Sequence, residues 1–273
     1  MSIIGIDAGG SAVKLYDGKQ FRQFPSAIGY DWRERHLQQQ HGEHDYDWAY
    51  DGRRGFAGTL ALHESQMADS LKGDSKAHPE ARLRVLIALH QYAAGPEHDI
   101  VVGQPIGTHT KGQKELIKKL LIGEHEITIN GRRKVITINR CEVAAEGVSA
   151  GLLAGTKGQV RVIDIGSGTV NYGTLLDGRY KDLESFTLVT GMETRRNPDL
   201  DSFARQIAAY AVNKGWGSQD TVYLCGGGAD PLQRELVKYF GSAQLLKPGM
   251  SEYANVDAFY RIAKGLYANG QTD

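Results

Sequence analysis

Short runs rich in apolar residues at 2–6, 12–16 and 19–24 predict three strands in succession, joined by turns at Gly9-Gly10 and Asp17-Gly18. From Gly29 to Gly55 the chain turns polar, aromatic and histidine-bearing with weak periodicity. Order returns with "RRGFAGTLALHES", so residues 25–76 read as a small inserted lobe. After Pro79, "EARLRVLIALHQYAA" carries Leu83, Leu86, Ile87 and His90 at helical intervals, with Gly95-Pro96 as a stop. "DIVVG" at 99–103 is a buried strand, "GQKELIKKLLIG" a second helix, and "HEITINGRRKVITIN" a hairpin whose Asn130-Gly131 pair suits a type I′ turn. "AEGVSAGLLAG" at 145–155 reads as a small-residue helix.

Three strands then come again, at about 160–165, 169–176 and 179–188, with Asp177-Gly178 placed as Asp17-Gly18 was. Helices at about 200–213 and 231–240 flank the strand "TVYLC", and "NVDAFYRIAKGLY" closes the chain as a helix. Both halves therefore run through three strands and then alternate helices with strands. The chain is α/β with an internal duplication of architecture, though not of most of its sequence.

Composition narrows the picture. The 273 residues can bury a sizeable core, and 32 Lys+Arg against 32 Asp+Glu give a net charge of +0, so no global attraction draws nucleic acid or an anionic membrane. No apolar run approaches a membrane span, and "MSIIGID" has neither the basic start nor the apolar core of a signal peptide, which points to a cytoplasmic protein. Cys141 and Cys225, each at the end of a predicted strand and without a CxxC partner, read as structural thiols. The 34 glycines, far above a usual ~7%, imply many positions of close backbone approach.

Taken alone, "VRVIDIGSGTVNYG" at 160–173 is a tight hairpin whose aspartate caps its own turn. The near-repeat "IIGIDAGGSAVKLY" at 3–16 changes that reading. Two Gly-rich loops, each behind a strand-end aspartate and each opening its own half, can face one another and grip a polyphosphate with backbone N–H groups. Asp7 and Asp164 would then lie close together and need a compensating cation, a need that Mg²⁺ held through waters meets. A third element, "YLCGGGAD", runs a strand into Gly226, Gly227 and Gly228, a flat platform for an adenine or ribose.

This order resembles that of the actin, Hsp70 and sugar kinase superfamily over most of the chain. Within it "FPSAIG", "GFAGTLALHES", "VVGQPIGTHTKGQKELIKKLL", "AEGVSAG", "DIGSGTV", "CGGGAD" and "YANVDAFY" resemble the bacterial actin-like plasmid-segregation proteins of the ParM kind. The resemblance implies an actin-like fold: duplicated ribonuclease H-like domains around a nucleotide cleft. Domain I would span 1–148, subdomain IA carrying the inserted lobe IB at about 25–76, and domain II would span 149–273. It also implies an ATPase that forms dynamic filaments for plasmid segregation, hydrolyses ATP within the filament, and works through a DNA-binding adaptor on a centromere-like site, with no direct sequence-specific DNA binding of its own. ATP with Mg²⁺ is the implied ligand, and GTP is left open.

By the same resemblance Asp7 and Asp164 are the Mg²⁺-water carboxylates. Gly9, Gly10, Ser11, Lys14, Gly166, Ser167, Gly168 and Thr169 meet the phosphates, and Gly226, Gly227 and Gly228 meet the nucleoside. Glu146 resembles the glutamate that orients the attacking water, a role suited to phosphoryl transfer, where the protein mainly positions water and stabilises charge. Glu142, one helical turn earlier in sequence, is the alternative.

The chain also departs from the pattern. Asn171 stands where relatives often have Asp, and Gln104 where leucine is common. After "LVTGMETRR" the single helix "LDSFARQIAAYAVNKGW" goes straight to the adenosine strand, which resembles AlfA-type segregation actins and implies that subdomain IIB is absent, leaving domain II with IIA alone. Two rival functions share these motifs: a small-molecule kinase resembling type III pantothenate kinase, and a nucleotide-switched scaffold that does not polymerise. His36, His41 and His44 lack the spacing of a metal site and read as a solvated loop. The run "KGQKELIKK" reads as a helix's solvated face. Tyr30, Trp32, Tyr46, Trp48 and Tyr50 divide evenly between a filament contact and the core of the lobe.

Overall fold

The computed structural model describes residues 1–36, 42–68 and 75–268. The first half contains β1 (Ser2–Ala8), β2 (Ala12–Tyr16), β3 (Phe21–Pro25), β4 (Ile28–Gly29), β5 (Asp45–Tyr50), β6 (Arg53–Gly58), α1 (Thr59–Glu64), α2 (Pro79–Tyr92), β7 (Glu97–Gln104), α3 (Lys111–Leu121), β8 (Gly123–Ile129) and β9 (Arg132–Ala145). The second contains β10 (Gln159–Ile165), β11 (Val170–Leu176), β12 (Arg179–Tyr180), β13 (Phe186–Leu188), α4 (Leu200–Asn213), β14 (Val222–Cys225), α5 (Ala229–Leu236), β15 (Gln244–Leu245) and α6 (Ala254–Tyr267).

Among the described residues the strands form two sheets, ordered β3-β2-β1-β7-β9-β8-β5-β6-β4 and β12-β11-β10-β14-β15, with β13 on β11. The duplication holds at the level of register. In each half an aspartate-bearing strand pairs antiparallel with the next strand and parallel with a later one: β1 with β2 and β7, β10 with β11 and β14. Asp7 lies opposite Lys14, and Asp164 opposite Asn171. Between β13 and β14 the only regular element among the described residues is α4, so the second half has no subdomain inserted there.

Small residues set how closely the layers approach. A Cβ on Gly5 of β1 would sit 2.5 Å from the Val256 carbonyl oxygen, so glycine lets α6 lie directly on that strand. Phe259, Ala263 and Tyr267 of α6 pack with Val101 and Ala144 of the first sheet, so the closing helix of the chain is anchored on its opening half. Strands β4, β5 and β6 extend that same sheet, because β5 pairs with β8 of the Asn130-Gly131 hairpin. Asn130 (φ 50°) and Gly131 (φ 75°) both take the left-handed conformations a type I′ turn requires.

Several local expectations change. Residues 145–155 do not form an α-helix: Gly147 adopts φ 74° and only a 3₁₀ turn, Ser149–Leu153, follows. Cys141 lies inside β9 rather than at a strand end, and the strand expected over 179–188 is split into β12 and β13 by a 3₁₀ turn at Asp182–Glu184. The Asp17-Gly18 connection is a longer loop in which the Asp17 carboxylate accepts from the N–H groups of Lys19 and Gln20, unlike its counterpart Asp177-Gly178, where both residues have positive φ. His41 lies outside the described residues, and His44 Nδ1 sits 3.3 Å from the Tyr46 hydroxyl and 3.2 Å from that of Tyr92.

The aromatic cluster divides by depth. Tyr46 and Trp48 are core residues, whereas Tyr30 is 42% exposed. The Trp48 ring lies on Gly55, where a Cβ would meet it at 2.7 Å, and its Nε1–H donates to the Phe56 carbonyl at 3.0 Å. Trp48→Ala therefore reads folding rather than a surface contact. It should cost about 3–5 kcal/mol in urea denaturation, the usual range for emptying a large aromatic from a core.

Candidate active site

Each half delivers its loop by the same local logic: β1 and β10 end on a buried aspartate, and the hairpin that follows is braced from behind. Ser26 donates its N–H to the Ser11 carbonyl (2.9 Å) and its hydroxyl to that of Gly9 (2.6 Å), while buried Arg84 donates to the Ser26 carbonyl at 3.0 Å. In the second loop, Met192 and Glu193 donate N–H to the carbonyls of Gly166 and Ser167 at 2.9 and 2.8 Å. Loop carbonyls in both halves are thus held by protein partners, a geometry that keeps each loop fixed when its other face meets an anion.

The third loop approaches the same point. Gly226 has φ 85°, and a Cβ there would sit 2.5 Å from the Ile165 carbonyl oxygen and 2.6 Å from Asp164 Oδ1. Only glycine fits between this loop and the aspartate strand. All three loops line one cavity of about 470 Å³, and Asp7, Gly9, Gly10, Ser11, Lys14, Glu146, Asp164, Gly166, Ser167, Gly168, Thr169, Gly226, Gly227 and Gly228 all lie on it. Glu142 does not. It stands on β9, where Lys118 donates to it at 2.9 Å.

Three carboxylates meet in this cavity. Asp164 is buried, and its Oδ2 accepts from Asn255 Nδ2 at 3.0 Å and Asn171 Nδ2 at 3.3 Å. Burial and the nearby Asp7 push its pKa up, against the pull of those two amides. Glu146 is carried on the turn after β9, with its N–H on the Gln104 carbonyl at 2.9 Å. Burial pushes its pKa up to about 7; the Lys76 ammonium opposes the rise, while Asp7 and Asp164 add to it. Glu146 Oε1 is buried at the cavity wall, where the Lys76 ammonium faces it at 3.2 Å.

Four residues that the motifs did not single out for this site organise it. Lys76 Nζ lies 3.2 Å from Glu146 Oε1 and 3.6 Å from Asp7 Oδ1, and donates to the Ala8 carbonyl at 2.8 Å. Burial works against its charge, but Glu146 and Asp7 more than offset that and raise its pKa. Asn255 bridges the two halves of the site, accepting from the Gly147 N–H at 2.9 Å while donating to Asp164. Asn171 donates to Glu146 and Asp164 and accepts from the Ile106 N–H and the Thr187 hydroxyl. A carboxylate at position 171 could not donate to two other carboxylates, which gives the departure there a structural reason. Buried Gln104 accepts from the Lys76 N–H at 2.8 Å and donates to the Thr108 hydroxyl at 2.8 Å, bonds a leucine could not make.

Against protein families, residues 5–148, more than half of the chain, match the model described as "Actin like proteins N terminal domain". The chain belongs to the actin-like protein family. No curated protein sequence matches it. Among solved structures, this actin-like protein is similar to an AlfA filament bound to AMPPNP, with a TM-score of 0.79 at 20% identity over 97% of this chain and 98% of the other. It is also similar to the apo psk41 ParM protein (TM-score 0.75, 17% identity, 98% of each chain). A third likeness is to the archaeal actin homolog Ta0583 in complex with ADP (TM-score 0.78, 19% identity, 97% of this chain and 100% of the other). At these identities the likeness establishes the actin-like fold, in agreement with the fold class that the resemblance implies. Among the described residues no helix is long and apolar enough to cross a membrane.

Proposed function

We propose that this actin-like protein binds ATP in the cavity between its two aspartate hairpins, assembles into filaments in that state, and hydrolyses the nucleotide within the filament. The observation that carries the reading is the convergence of both hairpins, the Gly226–Gly228 loop and the buried Glu146 carboxylate on one cavity. Gly9, Gly10, Ser11, Lys14 and the loop from Gly166 to Thr169 would cradle the phosphates, with the nucleoside against Gly226, Gly227 and Gly228. A structure of AlfA as a filament bound to AMPPNP, and one of Ta0583 with ADP, support nucleotide-linked assembly as the reading of this fold.

The donor set suits a hydrated divalent cation. Asp7 and Asp164 bring two buried carboxylates to the cavity, hard oxygen donors of the kind that hold Mg²⁺ with several of its waters in place. Asp7 and Asp164 would hold Mg²⁺ through waters, and the ion would neutralise charge on the phosphates. Glu146 Oε1 would accept a proton of the attacking water and orient its lone pair, which is the part of phosphoryl transfer that a side chain can supply. Asn171 and Asn255 keep Glu146 and Asp164 in register with each other.

The reading extends to plasmid segregation in the cytoplasm, with a DNA-binding adaptor joining filament to plasmid; the balanced net charge gives the chain no general affinity for DNA. Absence of a subdomain between β13 and β14 would leave the nucleotide less enclosed on that side. Phosphate release measured with Mg-ATP, with and without small-molecule acceptors, separates this reading from the kinase. Release that needs no acceptor and rises steeply once filaments sediment is the expected result, and acceptor-dependent transfer with no sedimentable polymer would refute it.

A further inference from the structure

The cations lining the cavity are Lys14, Lys76 and Arg84. Arg84 donates to the Ser26 carbonyl at 3.0 Å and to Glu80 at 3.3 Å. Lys76 pairs with both Asp7 and Glu146, with a side chain only 13% exposed. Its backbone is fixed from several directions. Its N–H is held by Gln104, Ser75 donates its hydroxyl to Gln113 of α3 at 2.9 Å while accepting from the Ala77 N–H, and His78 then caps α2. The short strap at 75–78 therefore presents the ammonium at a set place on the cavity wall. That place is the carbonyl of Ala8, the residue just before the Gly9-Gly10 loop.

We propose that Lys76 is a ligand of the nucleotide's terminal phosphate and gives the site its preference for a triphosphate over a diphosphate. The inference rests on the nucleotide reading above and adds a residue and a selectivity to it. A carboxylate that orients the attacking water stands one water away from the phosphorus under attack. Lys76 Nζ is 3.2 Å from that carboxylate's Oε1, so the terminal phosphoryl group must come within the ammonium's immediate neighbourhood. The electrostatics point the same way. Asp7, Glu146 and Asp164 make the wall acidic, and a triphosphate brings more negative charge to it than a diphosphate does. An ammonium on a flexible four-carbon stem can pass from the carboxylates to phosphate oxygens with little movement of the strap. Lys14 stands across the β1–β2 ladder from Asp7, at the base of the first hairpin, and makes no pair with Glu146 among the described residues.

The test compares affinities for Mg-AMPPNP and Mg-ADP by titration calorimetry, below the concentration at which the protein assembles, in wild type, Lys76→Met and Lys76→Arg. Loss of a charge-assisted hydrogen bond should weaken AMPPNP binding roughly 10-fold or more in Lys76→Met. ADP binding should stay within about threefold of wild type, which also shows that the variant is folded, and Lys76→Arg should keep most of the preference because it keeps the charge. AMPPNP and ADP affinities that fall together in Lys76→Met, or a preference that Lys76→Met leaves intact, would overturn the proposal, as would a Lys76→Arg protein indistinguishable from Lys76→Met. A wild-type chain that binds neither nucleotide would instead overturn the functional reading on which the proposal stands.

Discussion

Glu146→Gln should lower ATP hydrolysis by about 10²–10⁴-fold, the range for removing a positioned proton acceptor, while nucleotide binding and assembly persist. The amide fills the same volume and can still hydrogen-bond Asn171, but it cannot take a proton from water. Filaments of this variant should consequently outlast those of wild type, visible as a prolonged scattering plateau after a limiting dose of ATP. The pH dependence follows from the same group. Burial raises the Glu146 pKa to about 7, so the carboxylate is protonated below that value and ionised above it. Hydrolysis by the wild type should fall as pH drops from about 8 to about 6, with a bound divalent cation moving the limb downward. Glu146→Gln should lose that limb along with the rate. A rate and pH profile like those of wild type would remove Glu146 from the chemistry.

Asp164→Ala should abolish metal-dependent nucleotide binding and with it assembly. Asp164 is the acceptor for Asn171 and Asn255, and a Cβ on Gly226 would already touch its Oδ1. Removing it deletes a charge, strands the buried Asn255 amide at a cost of about 1–3 kcal/mol of desolvation, and leaves the Asn171 amide with Glu146 alone. Nucleotide affinity should drop by more than about 100-fold in Mg²⁺ and should no longer respond to chelation. The control is Asp177→Ala, at the matching turn of the neighbouring hairpin, where the carboxylate only accepts the Gly158 N–H; it should leave affinity unchanged. Equal losses in the two variants would mean that the Asp164 effect is general unfolding.

The paired hairpins were legible because each signal is local. A short apolar run, an aspartate and two glycines within a few residues define strand, ligand and turn together, and their repetition predicts that they meet. The missing subdomain was legible as a length: too few residues separate Leu188 from Val222 for more than α4. The interior of the site was not legible, because its partners are far apart in sequence. Lys76 follows a stretch without periodicity and finds Asp7 and Glu146 only through the fold. Asn255 sits in a motif recognised for its helix, yet its amide serves Gly147 and Asp164 more than eighty residues away.

The misread helix at 145–155 shows the same limit. Its small residues favour helix locally, but the Glu146 N–H is taken by Gln104 across the sheet and Gly147 turns the chain with positive φ. That difference separates the two candidate glutamates in space. In a helix Glu142 and Glu146 would share a face, whereas along an extended strand they lie about 13 Å apart, and only Glu146 reaches the cavity.

Right-angle light scattering over a protein concentration series in Mg-ATP, with electron microscopy of the scattering samples, tests the central claim most directly. The account predicts no signal below a critical concentration and filaments above it, with the signal absent when nucleotide is omitted or Asp164 is replaced by alanine. Nucleotide bound at full stoichiometry with no rise in scattering at any concentration would contradict it.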